Sequence, residues 1–199
     1  MRKALSCVLM MTLLLSGCQA GSAGETPEDA ALAVRDIYQS LAGWSADVDI
    51  TAEVGEKVFD FTISAVWQRE GESVLTITAP ELLAGITARI AEDETVLEYD
   101  GAGVSLGLLD GKGLTAVSVV PALMEQIGKG YMARCVWAGE NDELLLITFR
   151  DPEAEPNMET EYQLTFRRED GALLGAEVSV AGATVLTAAF QNFTMNPQS

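Results

Sequence analysis

The chain has 199 residues, with 30 acidic and 12 basic side chains and a formal charge of −18, a size suited to one domain with a sizeable core. That balance argues against nucleic-acid binding, because neutralising phosphates takes clustered Lys and Arg, and it sets the body of the protein against anionic lipid headgroups. There is no His, so the commonest general base and the commonest metal ligand are both missing.

The first element is a processing segment. Arg2 and Lys3 precede an apolar run from Ala4 to Leu15, and Leu15-Ser16-Gly17-Cys18 follows. The order of basic start, apolar run and small residues before a Cys reads as a lipoprotein signal over residues 1–17. Cys18 is the expected lipidation site, its thiol thioether-linked to diacylglycerol and the lipid carrying palmitate-type chains. The apolar run is too short to span a bilayer, which takes about 20 apolar residues. Residues 18–25 are small, polar and Gly/Ser-rich and read as a lipidated tether, leaving residues 26–199 as the folded domain. The expected location is extracytoplasmic, on the outer face of the cytoplasmic membrane, with the outer membrane as the alternative that Gln19 permits.

Of three Cys, Cys7 leaves with the signal and Cys18 is lipidated, so Cys135 stands alone and no intrachain disulfide is possible in the processed chain. Cys135 lies in a strand-like run and reads as a buried, inert small hydrophobe, with no His to activate it.

The domain opens on a helix expected over residues 27–42. Thr26 is a good N-cap, Pro27 suits the first helical position, and Glu28 and Asp29 sit at the positive end of the helix dipole. Ala30, Val34, Ile37, Tyr38 and Leu41 recur at helical spacing, and Gly43 is the expected stop. From Trp44 the period becomes two. Val48, Ile50 and Ala52 alternate with Asp47, Asp49 and Glu53, and Phe59, Phe61, Ile63, Ala65 and Trp67 alternate with polar neighbours after a Gly55-Glu56 turn. Leu75, Ile77 and Ala79 continue the pattern beyond Gly71-Glu72. The meander is broken at Pro80 to Gly85, then resumes over 86–90, 95–99 and 104–108.

A second helix is expected over 118–128, with Ser118 as cap, Pro121 harmless in the first turn, and Gly128 and Gly130 at the end. Strands return at 131–138, 143–150, 160–168, 173–181 and 184–194. About ten antiparallel strands with two or three helices give a mainly β, α+β fold. A sheet of this size curls, and short helices cover its apolar face incompletely. The expected architecture is an unclosed antiparallel half-barrel with a helical lid over an apolar concave face.

The motifs of covalent chemistry are missing. Without His no Ser-His-Asp triad can form, and there is no Gly-x-Ser-x-Gly elbow. Asp47/Asp49, Glu92/Asp93/Glu94 and Glu140 to Glu143 lack the internal Gly of a calcium loop and read as solvated turns and outer strand faces. Nothing singles out a carboxylate pair of the glycosidase kind. Gly101-Ala102-Gly103 and Gly111-Lys112-Gly113 lack phosphate-loop spacing and read as turns. No cofactor and no enzymatic activity are expected.

The apolar inner face is what remains. Phe59, Phe61, Ile63 and Trp67 are placed on its concave side, with Leu75, Ile77, Ile86 and Ile90 beside them. Val34, Ile37, Tyr38 and Leu41 are expected to face them from the lid. Each position also suits a plain packed core, so cavity and filled core both stay open. A cavity so lined would hold acyl chains by area burial, about 0.8 kcal/mol per CH₂.

The opening helix ending in Tyr38-Gln39-Ser40-Leu41, the hairpin with Phe59-Asp60-Phe61, the break Ala79-Pro80-Glu81-Leu82-Leu83-Ala84-Gly85-Ile86 and the ending Phe190-Gln191-Asn192-Phe193 to Pro197 carry a further reading. Together they resemble the LolA/LolB-like lipoprotein-carrier superfamily, over residues 28 to 197. That resemblance implies a half-barrel with a helical lid and non-covalent carriage of acyl chains or a lipidated protein. The partner it implies is a lipid acyl chain or lipoprotein; the lipobox adds a membrane through the N-terminal lipid, and the acidic charge argues for no nucleic acid. The alternative is an envelope scaffold of filled core that docks a protein.

Overall fold

The structure, a computed structural model, describes residues 25–91, 94–107, 118–154 and 159–197. The signal, Cys18, Glu92, Asp93 and Gly111-Lys112-Gly113 lie outside the described residues.

Helix α1 spans Pro27–Ser40, and its start follows the local chemistry. Thr26 Oγ1 accepts the Asp29 amide at 3.1 Å, satisfying one of the free N–H groups of the first turn. Its end corrects the expectation of a stop at Gly43. The helix closes at Ser40, and Leu41 is already extended and opens strand β1 (Leu41–Val54). No left-handed glycine is needed there because Arg69 supplies the cap. Its Nε donates to the Leu41 carbonyl at 2.7 Å and its Nη2 to the Tyr38 carbonyl at 3.0 Å, which satisfies free helix-end carbonyls and complements the dipole. Gly43 serves the sheet instead. A Cβ there would lie 2.6 Å from the Trp67 carbonyl oxygen.

From β1 the chain meanders outward through β2 (Lys57–Gln68), β3 (Ser73–Ala79), β4 (Thr87–Ile90), β5 (Thr95–Tyr99) and β6 (Ala102–Gly107). Helix α2 (Val119–Lys129) follows, then β7 (Met132–Ala138), β8 (Leu144–Arg150), β9 (Thr160–Arg167), β10 (Leu173–Val180) and β11 (Ala183–Pro197). All pairings are antiparallel, in the order β6-β5-β4-β3-β2-β1-β11-β10-β9-β8-β7. Among the described residues eleven strands form one sheet, in line with the about ten expected. The first and last strands meet at its centre, and β6 and β7 end the strand order among the described residues. The chain crosses from one edge to the other through the segment that carries α2. The fold is an unclosed, α+β antiparallel half-barrel.

Register fixes the faces. Val48 pairs with Ile63 on one side and Phe190 on the other, and all three are buried. A slip of one residue would turn this whole set to water. Asp47 and Asp49 face outward, where Asp49 accepts Thr62 Oγ1 at 2.8 Å and Gln191 Nε2 at 2.7 Å, and Asp47 accepts Asn192 Nδ2 at 2.9 Å.

The core is uneven. Under the helices, Phe149, Leu164, Phe166 and Leu173 are fully buried with Leu123 and Ile127 of α2. Helix α1 packs on α2, β7 and β8. This corrects the expected partner of its apolar stripe. Val34 and Ile37 lie over the β9–β10 turn at Gly171, and Leu41 belongs to β1 rather than to the lid. A helical stripe determines which side is buried but not which strands bury it. At the other end of the sheet, the inner-face residues Phe59, Tyr99 and Val104 are 41%, 53% and 60% exposed.

Candidate functional site

Two tryptophans on adjacent strands define the site. Trp44 near the start of β1 and Trp67 near the end of β2 are directly paired in the register, and both have inner-face parity. Helix α2 faces them with Pro121, Met124, Glu125 and Gly128, spaced i, i+3, i+4 and i+7 along one side of the helix. A neighbouring stripe of α2, Val119, Val120, Leu123 and Ile127, is buried in the core. Tyr38 and Gln39 close the space from α1. The result is a cleft of 330 Å³ between both helices and the sheet, with Arg69 and Lys129 also in its lining. This lies at the low end of small-ligand pockets, roughly 300–1,000 Å³.

The elements around the cleft are pinned to one another by polar contacts. Arg35 of α1 donates through Nε to the Ile127 carbonyl at 2.9 Å and through Nη2 to the Gly130 carbonyl. Gln39 Nε2 donates to the Gly128 carbonyl at 2.7 Å. Helix α1 thus caps the end of α2 with its own side chains, while Arg69 caps α1 and lies 5.8 Å from the Trp67 ring centre. Tyr38 donates to the Gly171 carbonyl at 3.2 Å and accepts the Leu173 amide at 3.0 Å. Burial holds its hydroxyl pKa far above the ordinary phenol range, so Tyr38 is a neutral wall. Trp44 is fully buried, stacked on Phe193 at 5.3 Å with Phe190 edge-on at 6.4 Å, and its Nε1 has no hydrogen-bond acceptor among the described residues.

The lining holds one carboxylate, Glu125, and among the described residues no group of three or more Cys, Asp or Glu is placed to hold a metal ion. Cys135 lies in β7, half-buried, and burial pushes its thiol pKa up.

The inner-face residues picked from the alternation fall into three groups. Tyr38 and Trp67 line the cleft. Ile63, Leu75 and Ile77 are buried in the centre of the face, where Ile63 pairs with Ile77. Phe61, Ile86 and Ile90 are half-buried against that centre, and Phe59 is exposed at its far end. Val34 and Ile37 join none of these groups. Sequence reasoning missed Trp44, Pro121 and Met124. The available signal for Trp44 was its parity with Ala46 and Val48, which puts it on the inner face beside Trp67.

No protein-family model matches the chain, and no curated protein matches it. Solved structures do resemble it. It is similar to an uncharacterised conserved protein of Thermus thermophilus, at 11% identity and a TM-score of 0.52, over 86% of this chain and 89% of that one. It is similar to a DUF1329 family protein of Desulfovibrio piger at 8% identity and a TM-score of 0.52, over 85% and 91%. These two likenesses show a shared fold. A LolA superfamily protein of Nitrosomonas europaea is similar at 12% identity and a TM-score of 0.44, over 87% and 95%.

Proposed function

We propose that this chain is a lipid-anchored envelope protein that holds one acyl chain non-covalently against its inner face, in the cleft between α1, α2 and the Trp44–Trp67 pair. The observation that carries this reading is the cleft itself, whose lining includes Tyr38, Trp67, Pro121 and Met124 beside Arg69, Glu125 and Lys129. Each methylene taken from water contributes about 0.8 kcal/mol, so affinity grows with chain length. Displacement of α2 from α1 would widen the cleft, and it would break the bonds from Arg35 and Gln39 to Ile127, Gly130 and Gly128. Cys18 would keep this cleft within reach of a bilayer that the acidic body does not favour. In this role the protein is a local acceptor or holder at the cell envelope, with no cofactor and no bond made or broken.

The buried centre of the inner face, Val48, Ile63, Leu75 and Ile77, favours a second reading. In it the scaffold is filled and docks an envelope protein, with Phe59, Tyr99 and Val104 exposed for contact.

Native mass spectrometry of the full chain released from membranes separates the two. Carriage predicts a species heavier than the lipidated chain by one lipid. Bare protein that also takes up no fluorescent fatty acid contradicts it.

A further inference from the structure

Both ends of α1 lie at the same end of the sheet. At its C-terminal end, Leu41 enters β1 and its carbonyl accepts Arg69, which stands just past the last residue of β2. At its N-terminal end, Glu25 lies 3.8 Å from Arg168, just past the last residue of β9. Arg168 also donates to the Asp142 carbonyl at 3.4 Å and lies 3.9 Å from the Trp137 ring centre. The domain therefore starts beside the β7–β8 and β9–β10 connections. Because the pairings are antiparallel, these connections share one end of the sheet with the β2–β3 turn. The cleft is at that end too, since Trp67 and Arg69 line it. The β1–β2, β3–β4 and β5–β6 connections are at the opposite end.

Chain lengths then restrict how the domain can stand. Glu25 is seven residues on from Cys18. At roughly 3.3–3.6 Å per residue, that stretch reaches at most about 25 Å. Strand β2 has 12 residues and is about 40 Å long. With the β1–β2 turn pointing at the anchoring bilayer, Glu25 would stand about 40 Å above it, beyond that reach. The cleft is closer. Helix α1 has 14 residues and places it only about 21 Å from Glu25.

We infer that the cleft end of the domain is the surface that meets the anchoring bilayer, and that the length of the 18–25 stretch enforces this orientation. The inference rests on the lipid anchor of the proposed function and adds the surface that faces the lipid. It puts the cleft beside the bilayer and holds Leu82, which is 86% exposed in the β3–β4 connection, away from it. Glu25, Asp142, Glu143 and Glu169 gather at the cleft end, so the surface fits a zwitterionic bilayer better than an anionic one.

The test places the full chain, processed and lipidated in a bacterial host, in phosphatidylcholine vesicles that carry a nitroxide on some headgroups. In a Cys135→Ala background, a fluorophore is attached through Glu70→Cys in the β2–β3 turn or through Glu56→Cys in the β1–β2 turn, both exposed positions. Quenching is expected to be at least about threefold stronger at position 70. Equal quenching at the two positions, or stronger quenching at position 56, overturns the inference while leaving acyl binding intact. Inserting eight Gly/Ser residues after Ser22 extends the reach to about 50 Å, longer than β2, and should bring the ratio toward unity. A ratio that survives the insertion shows that chain length does not set the orientation and overturns the inference as well. A purified chain whose mass lacks the lipid overturns the anchor itself. Should Glu70→Cys not fold, Ser40→Cys at the end of α1 takes its place, with the same expected ratio.

Discussion

Tyr38 and Leu173, 135 positions apart, are joined by a 3.0 Å hydrogen bond from the Leu173 amide to the Tyr38 hydroxyl. The same hydroxyl donates to the Gly171 carbonyl, so one side chain ties α1 to the β9–β10 turn. Tyr38→Phe removes the oxygen and leaves both backbone groups unpaired in a buried site. A loss of about 1–3 kcal/mol follows, read as a lower urea midpoint at unchanged slope.

The pH dependence of this contact has a definite sign. Burial raises the folded-state pKa of Tyr38 far above the usual value, whereas an unfolded Tyr ionises near pH 10. Its neutral, hydrogen-bonded form contributes fully below about pH 10, and that contribution falls by roughly 1.4 kcal/mol per pH unit above it. Tyr38→Phe should flatten the alkaline limb of stability against pH. A residual slope is expected from Tyr162, whose pKa burial and the charge of Glu125 also raise.

Arg35 holds the end of α2 through two carbonyls and lies 5.9 Å from the Phe149 ring centre. Arg35→Met keeps an unbranched apolar side chain and removes the donors. Amide exchange should rise in α2 more than in α1, because the α1 cap from Arg69 is untouched. Equal acceleration of both helices would show that Arg35 does not set the attachment of α2.

Gly43 has an ordinary backbone conformation but no room for a side chain, because a Cβ would meet the Trp67 carbonyl at 2.6 Å. Gly43→Ala should destabilise by about 1–3 kcal/mol through forced separation of β1 and β2. Adding a Cβ at Gly128, in α2, meets nothing within 4 Å, so Gly128→Ala is the control, expected to be neutral or stabilising. Thermal unfolding of the two variants checks the contrast.

Local chemistry was legible in the chain. Thr26 and Pro27 mark the start of α1, and the alternation from Trp44 to Trp67 assigns inner and outer faces of β1 and β2 as observed. What failed to show was long-range. The end of α1 depends on Arg69, which reaches it from another hairpin. The partner of the Val34–Ile37 stripe depends on the β9–β10 turn, far along the chain. The cleft needs Trp44, Trp67 and Met124 together. Periodicity places each on an apolar face, while only the pairing of β1 with β2 and the path of α2 bring them to one place.

The claim that an acyl chain lies against the Trp44–Trp67 pair is tested most directly by fluorescence quenching. The chain has three Trp, and Trp137→Phe leaves only the two that line the cleft. Titration with a fatty acid brominated along its chain should quench most of the remaining emission, saturably and with reversal by an unbrominated acid. Emission unchanged while the same acid quenches free tryptophan in micelles would contradict acyl binding at this cleft.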